Sequence, residues 1–137
     1  MKLRVLIVDD EPDIVGLLMA TLLPEGCRLL SAGDGETALA LARAERPALI
    51  LLDWMMPGCT GLEVCHALRA DADPQLRQVP VVLLTSRAEA EDIAAGFAVG
   101  ATDYLTKPFK PSHVRSRVRG WLLRSRGGPA PAQHQPA

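Results

Sequence analysis

Short, uninterrupted apolar runs alternate along the chain with stretches in which apolar residues recur every three or four positions. The runs are Val5 to Val8, Ala48 to Leu52 and Val81 to Leu84. Each is too short for a helix and is bounded by turn formers, as buried strands are. Weaker segments of the same kind lie at about Arg28 to Ser31 and Asp103 to Thr106. Between them, Ile14, Leu17, Leu18 and Leu22, with Val15 and Met19 beside them, mark a first helix whose first turn suits Pro12. Asp34-Gly35 turns the chain into a second, which carries Ala38, Leu39, Leu41 and Ala42 and closes before Pro47. Thr60-Gly61 opens a third through Leu62, Val64, Cys65 and Leu68. Asp71-Ala72-Asp73-Pro74 ends it, and a loop leads to the fourth strand. Ala88 to Val99 reads as an alanine-rich helix, with Gly100 placed to take the left-handed terminating conformation. A last helix runs from about Pro111 to Arg124.

Five strands alternating with five helices predict an α/β fold: a parallel sheet with helices on both faces, because right-handed crossovers return each helix over the sheet. All strand carboxyl ends then share one edge, where ligands of such open sheets bind. The first run stops at Asp9-Asp10-Glu11, the third at Asp53 and the fourth at Thr85-Ser86, and the fifth segment leads to Lys107. Topology alone therefore brings Asp9, Asp10, Asp53, Thr85 and Lys107 together. Glu11 is expected in the first turn of the first helix, where a negative charge suits the dipole.

The length of 137 residues and a hydrophobic content of 48% suit one domain with a sizeable core. It is expected over residues 1–124, and the Pro/Ala-rich segment 125–137 is expected to be disordered. A net charge of -1 lacks the basic excess of a nucleic-acid binder, so no direct nucleic-acid binding is expected. Cys27, Cys59 and Cys65 are odd in number and show no C-x-x-C spacing, which fits buried free thiols in a reducing compartment. No signal peptide or membrane-length apolar stretch is visible, and a cytoplasmic location is expected.

Three carboxylates crowded together raise one another's pKa unless a cation neutralises them. With oxygen ligands only and no His or Cys in the motifs, a hard divalent ion is implied, Mg²⁺ before Zn²⁺. An Asp beside such an ion can attack phosphorus to give an acyl phosphate, with the remaining groups neutralising the transferred oxygens. Asp53 is the candidate nucleophile, Lys107 the positive charge and Thr85 the hydroxyl donor. A cis Lys107-Pro108 bond would aim the ammonium inward.

Across about residues 2 to 124 the chain resembles the receiver domain of the two-component response regulators. The resemblance rests on Leu6-Ile7-Val8-Asp9-Asp10-Glu11, Leu51-Leu52-Asp53-Trp54-Met55-Met56-Pro57, Leu83-Leu84-Thr85-Ser86 and Gly100-Ala101-Thr102-Asp103-Tyr104-Leu105-Thr106-Lys107-Pro108-Phe109, in order and at similar spacing. It implies a flavodoxin-like doubly wound (βα)5 fold with strand order 2-1-3-4-5. It further implies that Asp53 takes a phosphoryl group from a phosphohistidine on a sensor histidine kinase or phosphotransfer protein. Asp9, Asp10, Asp53 and the main-chain carbonyl of Met55 would hold Mg²⁺. Thr85 and Tyr104 would form a switch, with Thr85 moving toward the phosphoryl oxygens and the Tyr104 ring swinging into the space it leaves. The face made by the fourth helix, fifth strand and fifth helix would then change shape for a downstream partner or a second copy. The chain departs from the family after Pro57, where Gly58-Cys59-Thr60-Gly61 stands and Thr60 replaces Asp as the cap of the third helix. Met55 and Arg87 occupy positions that the family varies, and they are expected to tune the phosphoryl lifetime.

Two rival readings remain. A phosphohydrolase using Asp53 would need a second Asp as acid, and Met55 stands at that position. A pseudo-receiver acting only in assembly would usually have lost the lysine or an acid. The expectation is therefore a phosphoacceptor without an external metabolic substrate. The last helix and its exit carry Lys110, Arg115, Arg117, Arg119, Arg124 and Arg126, a solvated face or a docking surface with Trp121 as its apolar anchor. Trp54 is expected half-exposed beside the site.

Overall fold

The computed structural model describes residues 2–86 and 89–127. Five parallel strands, β1 (Arg4–Val8), β2 (Arg28–Ala32), β3 (Leu49–Asp53), β4 (Val81–Thr85) and β5 (Asp103–Thr106), form one sheet in the order β2-β1-β3-β4-β5. The helices among the described residues are α1 (Pro12–Leu22), α2 (Gly35–Glu45), α3 (Gly61–Arg69), α4 (Pro74–Gln78), α5 (Ala90–Ala98) and α6 (Pro111–Ser125), with a 3-10 turn at Leu23–Glu25. The order matches the expected 2-1-3-4-5 doubly wound arrangement.

Even the unbroken apolar strands divide their side chains between two faces, as the two-residue period of a strand requires. Val5, Ile7, Leu49, Leu51, Val82 and Leu84 join Leu18 and Leu22 of α1 and Val114, Val118 and Trp121 of α6 in one core. Leu6, Val8, Ile50, Leu52, Val81 and Leu83 face the other core, with Ala38 and Ala42 of α2, Val64, Cys65 and Leu68 of α3, and Leu76 of α4. The register places Val8 opposite Leu52, Asp53 opposite Leu84 and Thr85 opposite Thr106, so the strands end almost level. That common edge carries the site.

Local signals set most element ends. Asp34 accepts the Thr37 N–H at 2.7 Å to cap α2, and Thr60 and Glu63 form a reciprocal capping box on α3. Gly100 ends α5 with φ +100°, as expected of it.

Several boundaries differ from expectation. β3 takes in Asp53 as its last residue. The stretch expected to be a loop after Asp71 contains α4, which makes six α-helices among the described residues where five helices were expected. It starts because Asp73 accepts the Gln75 N–H and Pro74 occupies the first turn. Arg46 ends α2 in the left-handed region with φ 48°. Its guanidinium holds Asp73 by two bonds of 2.8 and 3.1 Å, which supports a conformation unusual for a residue with a side chain. Glu11 stands at the position before α1 rather than in its first turn, and its side chain makes no capping hydrogen bond. Cys27 and Cys65 are buried as expected, whereas Cys59 is half-buried. α6 continues to Ser125, one residue past the expected domain end, and residues 128–137 of the expected tail lie outside the described residues.

Candidate functional site

β1, β3 and β4 deliver Asp9, Asp53 and Thr85 to the same edge, all three buried. The peptide N–H of Asp9 donates to the Ala32 carbonyl at 3.1 Å, continuing the β1-β2 ladder and fixing the start of the loop. Asp9 Oδ1 accepts the Glu11 N–H at 2.9 Å, and Oδ2 accepts from Lys107 Nζ at 3.1 Å. The same ammonium donates to Asp53 Oδ1 at 3.0 Å. Lys107 thus bridges two carboxylates that come from strands 44 sequence positions apart (53 − 9). Its own N–H donates to the Thr85 carbonyl at 2.7 Å, and the Lys107-Pro108 peptide is cis.

Asp10 is exposed and completes the acidic group. One carboxylate oxygen from each of Asp9, Asp10 and Asp53 lies within 4.8 Å of the others. Burial pushes the Asp53 carboxyl above its ordinary pKa. The Lys107 hydrogen bond opposes that rise, and the charges of Asp9 and Asp10 add to it. Burial alone would depress Lys107, but the hydrogen bonds and charges of Asp53 and Asp9 together outweigh it and hold the ammonium above the ordinary lysine value. One ammonium among three carboxylates leaves excess negative charge on an all-oxygen donor set, and that chemistry fits a hard divalent cation.

The remaining site residues fall nearby. Tyr104 is buried on β5, edge-on to Phe97 of α5 with ring centroids 6.2 Å apart. A small pocket of about 10 Å³ is lined by Thr85, Tyr104, Trp54, Leu83, Gly96 and Phe97, among others. Met55 follows Asp53 by two positions and exposes its side chain, and Arg87 lies outside the described residues.

Two expectations about tryptophans are corrected. Trp54 is 4% exposed, not half-exposed: its peptide N–H donates to the Leu84 carbonyl at 3.0 Å and its ring joins the core under α5. Trp121 is 6% exposed and its Nε1 donates to Asp103 Oδ2 at 3.3 Å, so it is no surface anchor. The basic row on α6 is also less uniform than its sequence. Arg119 forms a two-pronged pair with Glu25 at 2.9 and 3.0 Å, and Arg117 Nη1 lies 3.5 Å from Asp103 Oδ2. Asp103 itself, wholly buried and also accepting the Tyr104 N–H at 2.8 Å, escaped the sequence reading. Trp121 and Arg117 reach it from α6, and no local pattern announces such a tie.

A doubly wound parallel sheet thus gathers an acid cluster and a lysine at its carboxyl edge. The chain belongs to the response regulator receiver domain family, whose model matches residues 5–119. It is similar to the DNA-binding response regulator MtrA of Mycolicibacterium smegmatis, 43% identical over 130 residues that make up 95% of this chain and 55% of that protein. It also resembles the crystallised chemotaxis protein CheY4 of Vibrio cholerae, with TM-score 0.77 and 35% identity over 93% of this chain and 98% of that one. A BeF3-activated DrrB receiver domain is 31% identical with TM-score 0.79, covering 90% of this chain and 100% of that one. The chain spans about half the length of the curated relatives it matches. It is a receiver domain of a response regulator in two-component signalling, and that class implies a kinase partner. The expectation of no nucleic-acid binding finds no support here, since the mycobacterial relative is itself named DNA-binding. No helix among the described residues is long and apolar enough to cross a membrane.

Proposed function

We propose that Asp53 accepts a phosphoryl group from a phosphohistidine on a partner sensor histidine kinase or phosphotransfer protein. The observation that carries this reading is the Lys107 ammonium held between Asp9 and Asp53 at 3.1 and 3.0 Å, beside a third carboxylate. A carboxylate oxygen of Asp53 attacks phosphorus, the phosphorus–nitrogen bond breaks, and its electron pair returns to the imidazole, which takes up a proton. Lys107 and the Thr85 hydroxyl neutralise and orient the transferred oxygens, which is most of what such a transfer requires of a protein. Asp9, Asp10, Asp53 and the main-chain carbonyl of Met55 would hold Mg²⁺, which when bound supplies charge neutralisation for both the acids and the incoming phosphoryl group.

The response is a two-state shift biased by the added charge. Thr85 moves toward the phosphoryl oxygens, the Tyr104 ring follows, and the α5-β5-α6 face changes shape for a downstream partner or a second copy. Reversing populations from 1:99 to 99:1 takes about 5.5 kcal/mol of differential stabilisation, within reach of several charge-assisted contacts to one phosphoryl group. Met55 and Arg87 tune how long that group survives. The domain catalyses only its own phosphorylation and dephosphorylation, and the three free thiols suit the reducing cytoplasm. In a longer protein of the MtrA kind, the signal would pass to a DNA-binding output.

Intact mass after incubation with acetyl phosphate, with and without Mg²⁺, tests the reading. A single phosphoryl adduct that needs Mg²⁺ and is absent in Asp53→Asn is the expected result. No adduct on the native chain would favour an assembly role, and steady phosphate release from many esters would indicate a hydrolase.

A further inference from the structure

α5 covers the pocket beside Thr85 and Tyr104, and its one buried residue is a glycine, Gly96. A glycine inside a helix weakens it relative to alanine. Gly96 has no left-handed backbone to justify it, since it is not among the positive-φ glycines. Its neighbours supply a reason. A Cβ at Gly96 would stand 2.8 Å from Leu83 Cδ1 and 3.6 Å from Trp54 Cζ3, both lining the same pocket. The helix therefore seats its bare backbone on β4, next to Phe97, whose ring meets Tyr104. The pocket has room for about one water-sized group, so a methyl group takes up much of it. Adding one must push Leu83 aside or lift α5, and either disturbs the space in which Thr85 and Tyr104 sit.

We propose that Gly96 is a positioning residue of the switch: its missing side chain keeps the clearance under α5 that the exchange of Thr85 and Tyr104 requires. This rests on the phosphorylation-driven exchange proposed above. Gly96 touches no reacting atom, and uptake of the phosphoryl group by Asp53 does not depend on it. Response of the Tyr104 ring does.

Tyr104 is the only tyrosine of the chain, so 3-fluorotyrosine labelling yields a single ¹⁹F resonance that reports on it. The native chain, Gly96→Ala, Leu83→Val and the double variant are compared with and without acetyl phosphate and Mg²⁺, with intact mass recorded in parallel. Gly96→Ala should take up the phosphoryl group as the native chain does, while the Tyr104 response falls about tenfold. Leu83→Val removes the Cδ1 that the new methyl meets. Alone it should respond like the native chain, and in the Gly96→Ala background it should restore most of the response. A Gly96→Ala chain with altered melting but a native Tyr104 response would overturn the proposal, because Gly96 would then serve packing alone. So would a double variant that responds no better than Gly96→Ala. If the native chain takes up no phosphoryl group, the reading of Asp53 fails and this proposal falls with it, whereas normal uptake with a native Tyr104 response in Gly96→Ala rejects this proposal alone.

Discussion

The two faces of the sheet are packed differently. Toward α1 and α6 the space is filled by large side chains, Leu18, Leu22, Val114, Val118, Trp121 and Leu122, all closed from solvent. Toward α2, α3 and α5 the core includes Ala32, Ala38, Ala42, Cys65 and Ala101, with Gly96 as the buried residue of α5. The pocket beside Thr85 and Tyr104 lies on this second side. Close packing resists displacement, whereas a helix that presents a glycine to the sheet beside a void has somewhere to go. The strands that carry Asp53 and Thr85 are shared by both faces, so a change at the site should spread toward α5 and stop at α1. Asp103 is the tie between the two sides, because it lines the pocket and also holds Trp121 and Arg117 of α6.

The largest stability loss should come from cutting that tie. Asp103→Ala leaves the Arg117 cation and the Trp121 N–H without their acceptor, and about 3–5 kcal/mol is expected in urea unfolding; a loss below 1 kcal/mol would mean that the tie is ornamental. Leu122→Ala on the filled face should cost about 2–5 kcal/mol. Ile93→Ala on α5, where the side chain is only partly buried, should cost roughly 1 kcal/mol because less area is lost. Equal losses at the two positions would erase the contrast between the faces. Thr60→Ala, which removes the α3 capping box, should cost about 1 kcal/mol while leaving phosphorylation intact.

The smallest effect is in acid. The Arg119 hydrogen bond holds the Glu25 carboxyl below its ordinary pKa, against a smaller opposing push from burial. A lowered folded-state pKa gives stability that is fully present above the unfolded value of about 4.3 and is lost as pH falls through the folded one. Glu25→Gln should therefore lose that part of the acid dependence, and solvent screening keeps it small. An unchanged acid limb would show that the pair adds nothing to the filled face.

What could be read from the sequence was local or periodic. Pro12, Asp34, Thr60 and Gly100 mark element ends by their own chemistry, and the strand ends that gather Asp9, Asp53, Thr85 and Lys107 follow from alternation of short runs with helical periods. α4 is five residues long, too short for any period to show. Trp54 and Trp121 were misjudged because burial is decided by distant partners, α5 above one ring and Asp103 beside the other. The left-handed Arg46 depends on Asp73, 27 positions away. Such residues carry no signal until the helices have docked.

The most direct measurement is amide hydrogen exchange of the native chain and of Asp53→Asn, with and without beryllofluoride and Mg²⁺ as a stable stand-in for the phosphoryl group. The account predicts changed protection at Thr85, along α5 and at Tyr104, unchanged protection at Leu18 and Leu22 of α1, and no change anywhere in Asp53→Asn. Equal changes at α1 and α5, or changes confined to α1, would contradict it.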